Sequence, residues 1–153
     1  MLVGVISDTH GHLLPQAKKA LEGVDAIIHA GDIGDRKILD DLRRIAPVFA
    51  VRGNMDSGGW ATDLPAADVV ELGEVVLYVL HDLYALDLDP ESAGFQAVIC
   101  GHTHRAAATE KNGVLYLNPG SASLPKLNAA SSVALMRIDG KALDVRFVEI
   151  SDH

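Results

Sequence analysis

Several things are scarce in this 153-residue sequence. It has one cysteine, so no internal disulfide can form and a cysteine-built metal site is excluded. Basic residues number 13 against 21 acidic ones, a formal net charge of -8, which argues against a nucleic-acid binder working through a broad basic face. No stretch approaches the roughly 18 consecutive apolar residues of a membrane span. The opening MLVGVISDTH lacks the charged start and long apolar run of a secretory signal. Linkers, repeats and low-complexity tracts are also missing. The longest loop-like stretch, Asn54 to Leu64, is too short to separate domains. These absences describe a cytoplasmic protein of one domain spanning residues 1–153, with no capping domain and no membrane partner. A chain of this size buries roughly 70% of its unfolded surface and needs no disulfide staple. Against this plain background, seven histidines among many carboxylates stand out.

The first third reads as alternating strand and helix. Leu2–Ser7 is a short apolar run of the buried parallel type. Leu13–Leu21 has helical spacing with Gly23 as its stop, and Asp25–His29 is a second buried run. Asp35–Ile45 places Ile38, Leu39, Leu42 and Ile45 on one helical face, Pro47 ends it, and Val48–Val51 is a third strand. Such a series implies a parallel sheet with right-handed crossovers. Later, Gly73-Glu74, Asn112-Gly113 and Asp139-Gly140 each join two apolar runs as hairpins. Ala97–Cys100 is a further buried strand, and Asp89–Phe95 reads as a short helix. The expected class is α/β, with two stacked mixed sheets flanked by helices.

Five strands end in a candidate ligand. Asp8 and His10 follow the first, Asp32 the second, Asn54 and Asp56 the third, His81 the run ending at Leu80, and His102 and His104 the run ending at Cys100. In open α/β sheets the carboxyl edge is where ligands bind. Singly, each residue has an ordinary structural use, such as a turn aspartate or a buried histidine. Recurrence at the same end of five strands favours a metal site. The set Asp8, His10, Asp32, Asn54, His81, His102 and His104 mixes oxygen and nitrogen donors, which suits Mn, Fe, Ni or Zn. Seven ligands exceed one tetrahedral site and suit two metals sharing a carboxylate. Asp8/His10 and His102/His104, read as extended segments, would each turn alternate side chains to one side. Gly31, Gly53 and Gly101 each precede a candidate and allow close backbone approach.

These motifs, Asp8-Thr9-His10, Gly31-Asp32, Gly53-Asn54-Met55-Asp56, His81 and Gly101-His102-Thr103-His104, resemble in order those of calcineurin-like metallophosphoesterases. Asn118-Pro119-Gly120-Ser121, with Pro125 following, is similar to the small bacterial and archaeal phosphodiesterase branch. The resemblance implies an αββα sandwich with two metals at the strand ends. One would take Asp8, His10, Asp32 and His104; the other would take Asp32, Asn54, His81 and His102, with Asp32 as the bridge. It implies two divalent ions, manganese first and Ni, Fe or Zn after it, and a phosphodiester or other small phosphate ester as substrate. Hydroxide shared by the metals would attack phosphorus.

Two departures from the family pattern bear on this reading. Met55 stands where larger family phosphatases carry a histidine, which leaves Asp56 to assist the leaving group, orient a ligand or simply make a turn. His81-Asp82-Leu83 replaces the usual His-Gly-His. Catalytic roles fall to Asp32, Asn54, Asp56 and His102, and substrate contacts to His12 and Arg105. His29 reads as a core or supporting residue, Asn118–Ser121 as a structural turn, Arg52 as a flanking cation, and Trp60 and Cys100 as buried. The alternative is a non-catalytic protein-binding scaffold on the same fold, as in a eukaryotic trafficking subunit; a nuclease is disfavoured by the acidic balance. The sequence leaves a homo-oligomer open.

Overall fold

A computed structural model describes residues 1–123 and 130–150; Pro125 and His153 fall outside them. Among the described residues, ten strands form two five-stranded sheets, with continuous buried apolar runs in β1, β2 and β6. In the first sheet, β1 (Leu2–Ile6), β2 (Ala26–His29) and β3 (Val48–Ala50) run parallel. The hairpin β9 (Ser131–Asp139) and β10 (Ala142–Ile150) adds antiparallel to β1, giving the order β10-β9-β1-β2-β3. The second sheet has the order β4-β5-β6-β8-β7. Its strands are β4 (Ala67–Leu72), β5 (Val75–Leu80), β6 (Ala97–Ile99), β7 (Ala107–Lys111) and β8 (Val114–Asn118). The expected hairpins β4–β5 and β7–β8 form, and they are joined through β6 by parallel pairing with both β5 and β8.

The period-2 alternation separates two sides of each sheet. Val3, Val5, Ala26, Ile28, Ala134 and Met136 of the first sheet pack with Val75, Leu77, Val79, Ala97, Ile99 and Leu117 of the second. Truncating one of these, such as Leu77→Ala, costs about 2–5 kcal/mol. The opposite face of the first sheet, with Ile6, Ile27, Val133 and Leu135, is covered by α1 (Pro15–Ala20) and α2 (Arg36–Arg43). Asp35 caps α2 by accepting from the Lys37 N–H, and Ile38, Leu39 and Leu42 are its buried face. The outer face of the second sheet carries a smaller cluster of Leu80, Val98, Cys100 and Val114.

The expected helices and parallel strands are present with shorter ends, whereas the hairpin strands β4, β8, β9 and β10 extend one or two residues beyond the expected runs. The first helix begins at Pro15 rather than Leu13, because Leu14 is extended and proline suits the first helical position, and it is capped at Leu21, where the expected helix ends. The stretch expected to be loop from Asn54 to Leu64 contains a one-turn helix, α3 (Gly59–Thr62). A further one-turn helix, α4, covers Pro90–Ala93, and an unexpected 3₁₀ turn covers Leu83–Ala85.

Candidate metal centre

The ligand loops leave the parallel strands at one edge and are stitched to one another. Asp8 N–H donates to Gly31 O at 3.0 Å, His10 N–H to Asp32 O at 3.0 Å, and Gly101 N–H to His81 O at 2.9 Å. Their backbone corrects one expectation. The pairs Asp8/His10 and His102/His104 are not extended: Asp8, His10, Asp32, His102 and His104 all adopt positive φ, between 47° and 73°. Beyond the glycines, Asn112 in a hairpin turn is the one other described residue to do so. Each left-handed residue costs about 1–3 kcal/mol and persists where its surroundings dictate it. Here that cost falls on the residues the strand ends deliver.

Five of the seven candidates converge. Asp8 Oδ1 lies 3.3 Å from His104 Nε2, 3.6 Å from His10 Nε2 and 3.8 Å from His81 Nε2. Asp32 Oδ2 lies 3.2 Å from His81 Nε2 and 3.8 Å from His10 Nε2. Two overlapping triads, Asp8–His10–His104 and Asp8–Asp32–His81, bring one ligand atom from each member within 4.8 Å of the others. Both carboxylates are buried, Asp8 completely.

Each carboxylate commits one oxygen to the scaffold and turns the other inward. Asp8 Oδ2 accepts from Ser7 Oγ at 2.6 Å and from the His102 N–H at 3.2 Å. Asp32 Oδ1 accepts from the Met55 N–H at 2.8 Å. The His81 ring is oriented likewise, because its Nδ1–H donates to Ala30 O at 2.7 Å, which turns Nε2 towards the carboxylates. Burial alone would raise the Asp32 pKa, but His81, the Met55 N–H and His10 outweigh it and hold the carboxyl below its ordinary value. For His81, burial alone would lower the pKa, but Asp32, the Ala30 carbonyl and Asp8 raise it.

A further layer fixes these groups. Ser121 Oγ and Ser123 Oγ both donate to Asp8 O, at 3.1 and 2.8 Å. Asn118 Nδ2 donates to Gly101 O and Thr103 Oγ1, both at 3.0 Å, and its Oδ1 accepts from the Gly120 N–H at 2.9 Å. This agrees with reading Asn118–Ser121 as a supporting turn. His29 is fully buried, and burial first, with His81 beside it, drives its pKa down to about 3. Its Nδ1 accepts from the Gly31 N–H at 3.1 Å, so the proton sits on Nε2, which donates to Thr9 Oγ1 at 3.0 Å; Thr9 in turn donates to Ile33 O at 2.8 Å. Gly31, at φ 102°, has no room for a side chain, since a Cβ there would sit 2.7 Å from His81 Nδ1.

The remaining candidates lie outside these triads. His102 Nε2 is 3.9 Å from Asp82 Oδ2, with the His102 ring edge-on to His81 at a centroid distance of 5.2 Å. Asn54 is exposed on the loop after β3. Asp56 is nearly buried, and its carboxylate accepts from the Ile33, Gly34 and Gly53 N–H groups at 3.1, 2.9 and 2.9 Å. It thus ties the loop after β3 to the loop after β2. His12 and Arg105 are exposed at the loops after β1 and β6. The Arg52 guanidinium donates to Leu64 O, and Arg52 lines a cleft of about 300 Å³ with Asp56, Ser57, Gly58, Ala61 and Thr62. None of the five convergent residues lines that cleft. Trp60 is half-buried against the helix-side core, and Cys100 is buried. The support from Ser7, Ser123 and Thr9 was missed in the sequence, where isolated hydroxyl residues give no signal.

The donor set fits a divalent cation. Asp8 Oδ1, His10 Nε2 and His81 Nε2 are buried polar atoms without a hydrogen-bond partner. His81 Nε2, an acceptor in the neutral ring, faces carboxylate oxygens that are also acceptors. Uncompensated burial of carboxylates is expensive, and a cation among these acceptors supplies what each lacks. The fold and the site together define a two-sheet α/β protein with a carboxylate–imidazole metal-binding cluster at its strand ends. The sequence profile of the calcineurin-like phosphoesterase superfamily domain matches residues 1–141. The chain belongs to that superfamily. A probable metallophosphoesterase of Methanocaldococcus jannaschii is 34% identical to it, over 99% of this chain and 83% of the relative. A phosphodiesterase of the same organism is 30% identical, over 78% of this chain and 83% of that protein. Among solved structures, a Vps29 variant from Entamoeba histolytica superposes with a TM-score of 0.76 at 26% identity, covering 99% of this chain and 100% of that one.

Proposed function

We propose that the protein is a metal-dependent phosphodiesterase hydrolysing small phosphate esters at the strand-end cluster, with residues 1–153 acting as one domain in the cytoplasm. The observation that carries this reading is the convergence of three unpartnered buried atoms, Asp8 Oδ1, His10 Nε2 and His81 Nε2, beside a second buried carboxylate, Asp32. In this reading Asp8, His10, Asp32 and His104 hold one divalent ion, and Asp32, Asn54, His81 and His102 hold a second, with Asp32 shared. Manganese is the first choice, and Ni, Fe and Zn suit the same donors. Two such ions supply a water of lowered pKa and positive charge against the phosphoryl oxygens.

The chain's own residues bind and orient. The Ala30 carbonyl fixes the tautomer of His81, and the Met55 N–H leaves one Asp32 oxygen for the cluster. His12 and Arg105, exposed on the loops after β1 and β6, are assigned to phosphate oxygens. Asp56, with its carboxylate engaged by three backbone donors, acts by holding the Asn54 loop against the Asp32 loop. A formal charge of -8 does not oppose an anionic substrate when the positive charge comes from the ions; it disfavours nucleic acid, which needs an extended basic surface.

The likeness to Vps29 motivates the second reading, a protein-binding scaffold on the same fold. Metal analysis of the purified protein, with hydrolysis of bis(p-nitrophenyl) phosphate and p-nitrophenyl phosphate measured with and without Mn²⁺, separates the two. The enzyme reading expects bound metal and Mn²⁺-stimulated diester cleavage. Absence of both would favour the scaffold.

A further inference from the structure

We propose that Asp82 is a positioning residue for the second metal subsite: its carboxylate, 3.9 Å from His102 Nε2, favours the proton on that nitrogen and thereby leaves Nδ1 of His102 for the ion. This rests on the metal-site reading above and goes beyond it by assigning Asp82 a role and His102 a ligating atom.

The two oxygens of Asp82 have different surroundings. Oδ1 accepts from the Tyr84 N–H at 3.1 Å and caps the 3₁₀ turn at Leu83–Ala85. That capping bond fixes the carboxylate, and Oδ2 is the oxygen left 3.9 Å from His102 Nε2. His102 is held from its other side. Its N–H donates to Asp8 Oδ2 at 3.2 Å, its φ is 73°, and its ring meets the His81 ring edge-on. At 3.9 Å the pair is longer than a direct hydrogen bond, but a nearby carboxylate favours the proton on the nitrogen that faces it, and a neutral imidazole then has its lone pair on the other nitrogen. His81 is divided the same way, with one nitrogen donating to a fixed oxygen and the other turned to the cluster. Ligating imidazoles generally donate their second N–H to a carboxylate or carbonyl, which sets the tautomer and raises the basicity of the ligand. Ala30 serves His81 in this way, and Asp82 serves His102. Both side chains are about 40% exposed, at 42% for His102 and 41% for Asp82, so as a bare ion pair they contribute little to stability. The value of the pair lies in orienting the ligand.

Asp82→Asn separates this role from simple capping. Asparagine caps a helical turn as well as aspartate does, so a capping role alone predicts no effect on metal binding. The amide, however, has one acceptor; once that caps Tyr84, the NH₂ group meets the N–H of His102, donor against donor. Calorimetric titration of the metal-free protein with Mn²⁺ is expected to show two binding steps. In Asp82→Asn the weaker step should lose about 10–100-fold in affinity while the tighter step is unchanged. In the Zn²⁺-loaded wild type with ¹⁵N-labelled histidine, His102 should carry its proton on Nε2. Two unaltered Mn²⁺ steps in the variant, or a proton on Nδ1 of His102, would overturn the role of Asp82 and leave the metal site standing. A wild type with no Mn²⁺ binding would instead sink the metal-site reading, and this inference with it.

Discussion

Asp8 Oδ1 and His104 Nε2 lie 3.3 Å apart, joining the loop after β1 of the first sheet to the loop after β6 of the second. The two sheets therefore share one buried charge at their common edge. That charge serves ligand binding at a cost to the metal-free fold, and several consequences can be measured.

Asp8→Asn should separate stability from function. The substitution removes a fully buried negative charge whose inward oxygen has no hydrogen-bond partner. The metal-free variant is expected to melt at or above the wild-type temperature, and its melting temperature should respond less to Mn²⁺, because the ion assigned to Asp8 is lost while the second subsite keeps its ligands. Thermal melts in EDTA and in Mn²⁺ check this. Strong destabilisation of the metal-free variant would mean that Asp8 is a structural residue first.

Metal should stabilise the wild type by mass action. At 100 times the dissociation constant, one site contributes about 2.7 kcal/mol. For a chain of 153 residues this corresponds to a rise in melting temperature of roughly 5–10 °C, reversed by EDTA. A differential scanning calorimetry series against Mn²⁺ concentration would show it as a dose-dependent shift. A flat series would count against the cluster as a metal site.

His29 gives a pH dependence with a definite sign. Its pKa in the folded protein is lowered to about 3, against about 6.5 in the unfolded chain. Below pH 6.5 the unfolded state binds the extra proton, so this group's contribution falls as pH falls from 6.5 towards 3 and is constant above that window. Between pH 7 and pH 5 the loss is about 2 kcal/mol. In His29→Gln, urea unfolding should show a lower stability at pH 7 and a smaller loss on moving to pH 5. An equal loss in wild type and variant would mean that His29 is not the buried neutral group described.

Gly31→Ala should damage the site from its backbone. The added Cβ would sit 2.7 Å from His81 Nδ1, at a φ of 102° that alanine adopts poorly. The expected cost is about 1–3 kcal/mol of stability, with weakened Mn²⁺ binding, because His81 must leave the Ala30 carbonyl. Calorimetry on the purified variant reads both. Wild-type Mn²⁺ affinity in the variant would contradict the close packing of Gly31 on His81.

Much of this arrangement was legible in the sequence because its signals are local. A β-branched apolar run followed by Asp, His or Gly-Asp marks both a strand and the residue it delivers, and Asp8, His10, Asp32, His81 and His104 meet as that pattern suggests. The hairpins follow from Asn112-Gly113 and Asp139-Gly140 for the same reason. The backbone of the ligand loops was not legible. Alternation along Asp8-Thr9-His10 suggests an extended segment, whereas contacts from the distant Ser121 and Ser123 to Asp8 O help hold it left-handed. Asp56 illustrates the same limit. Its position after Gly53-Asn54 suggests chemistry, and only the fold shows its carboxylate bonded to the backbone of a loop 22 and 23 residues away.

We propose above that these carboxylates and imidazoles hold two divalent ions that support phosphodiester hydrolysis. The most direct test is titration of metal-free protein with Mn²⁺ while following cleavage of bis(p-nitrophenyl) phosphate, in wild type and Asp32→Ala. Activity should rise to a plateau at about two equivalents in the wild type and be lost in Asp32→Ala, because the shared ligand of both ions is gone. Cleavage by Asp32→Ala at the wild-type rate, or a wild type indifferent to Mn²⁺, would contradict this proposal.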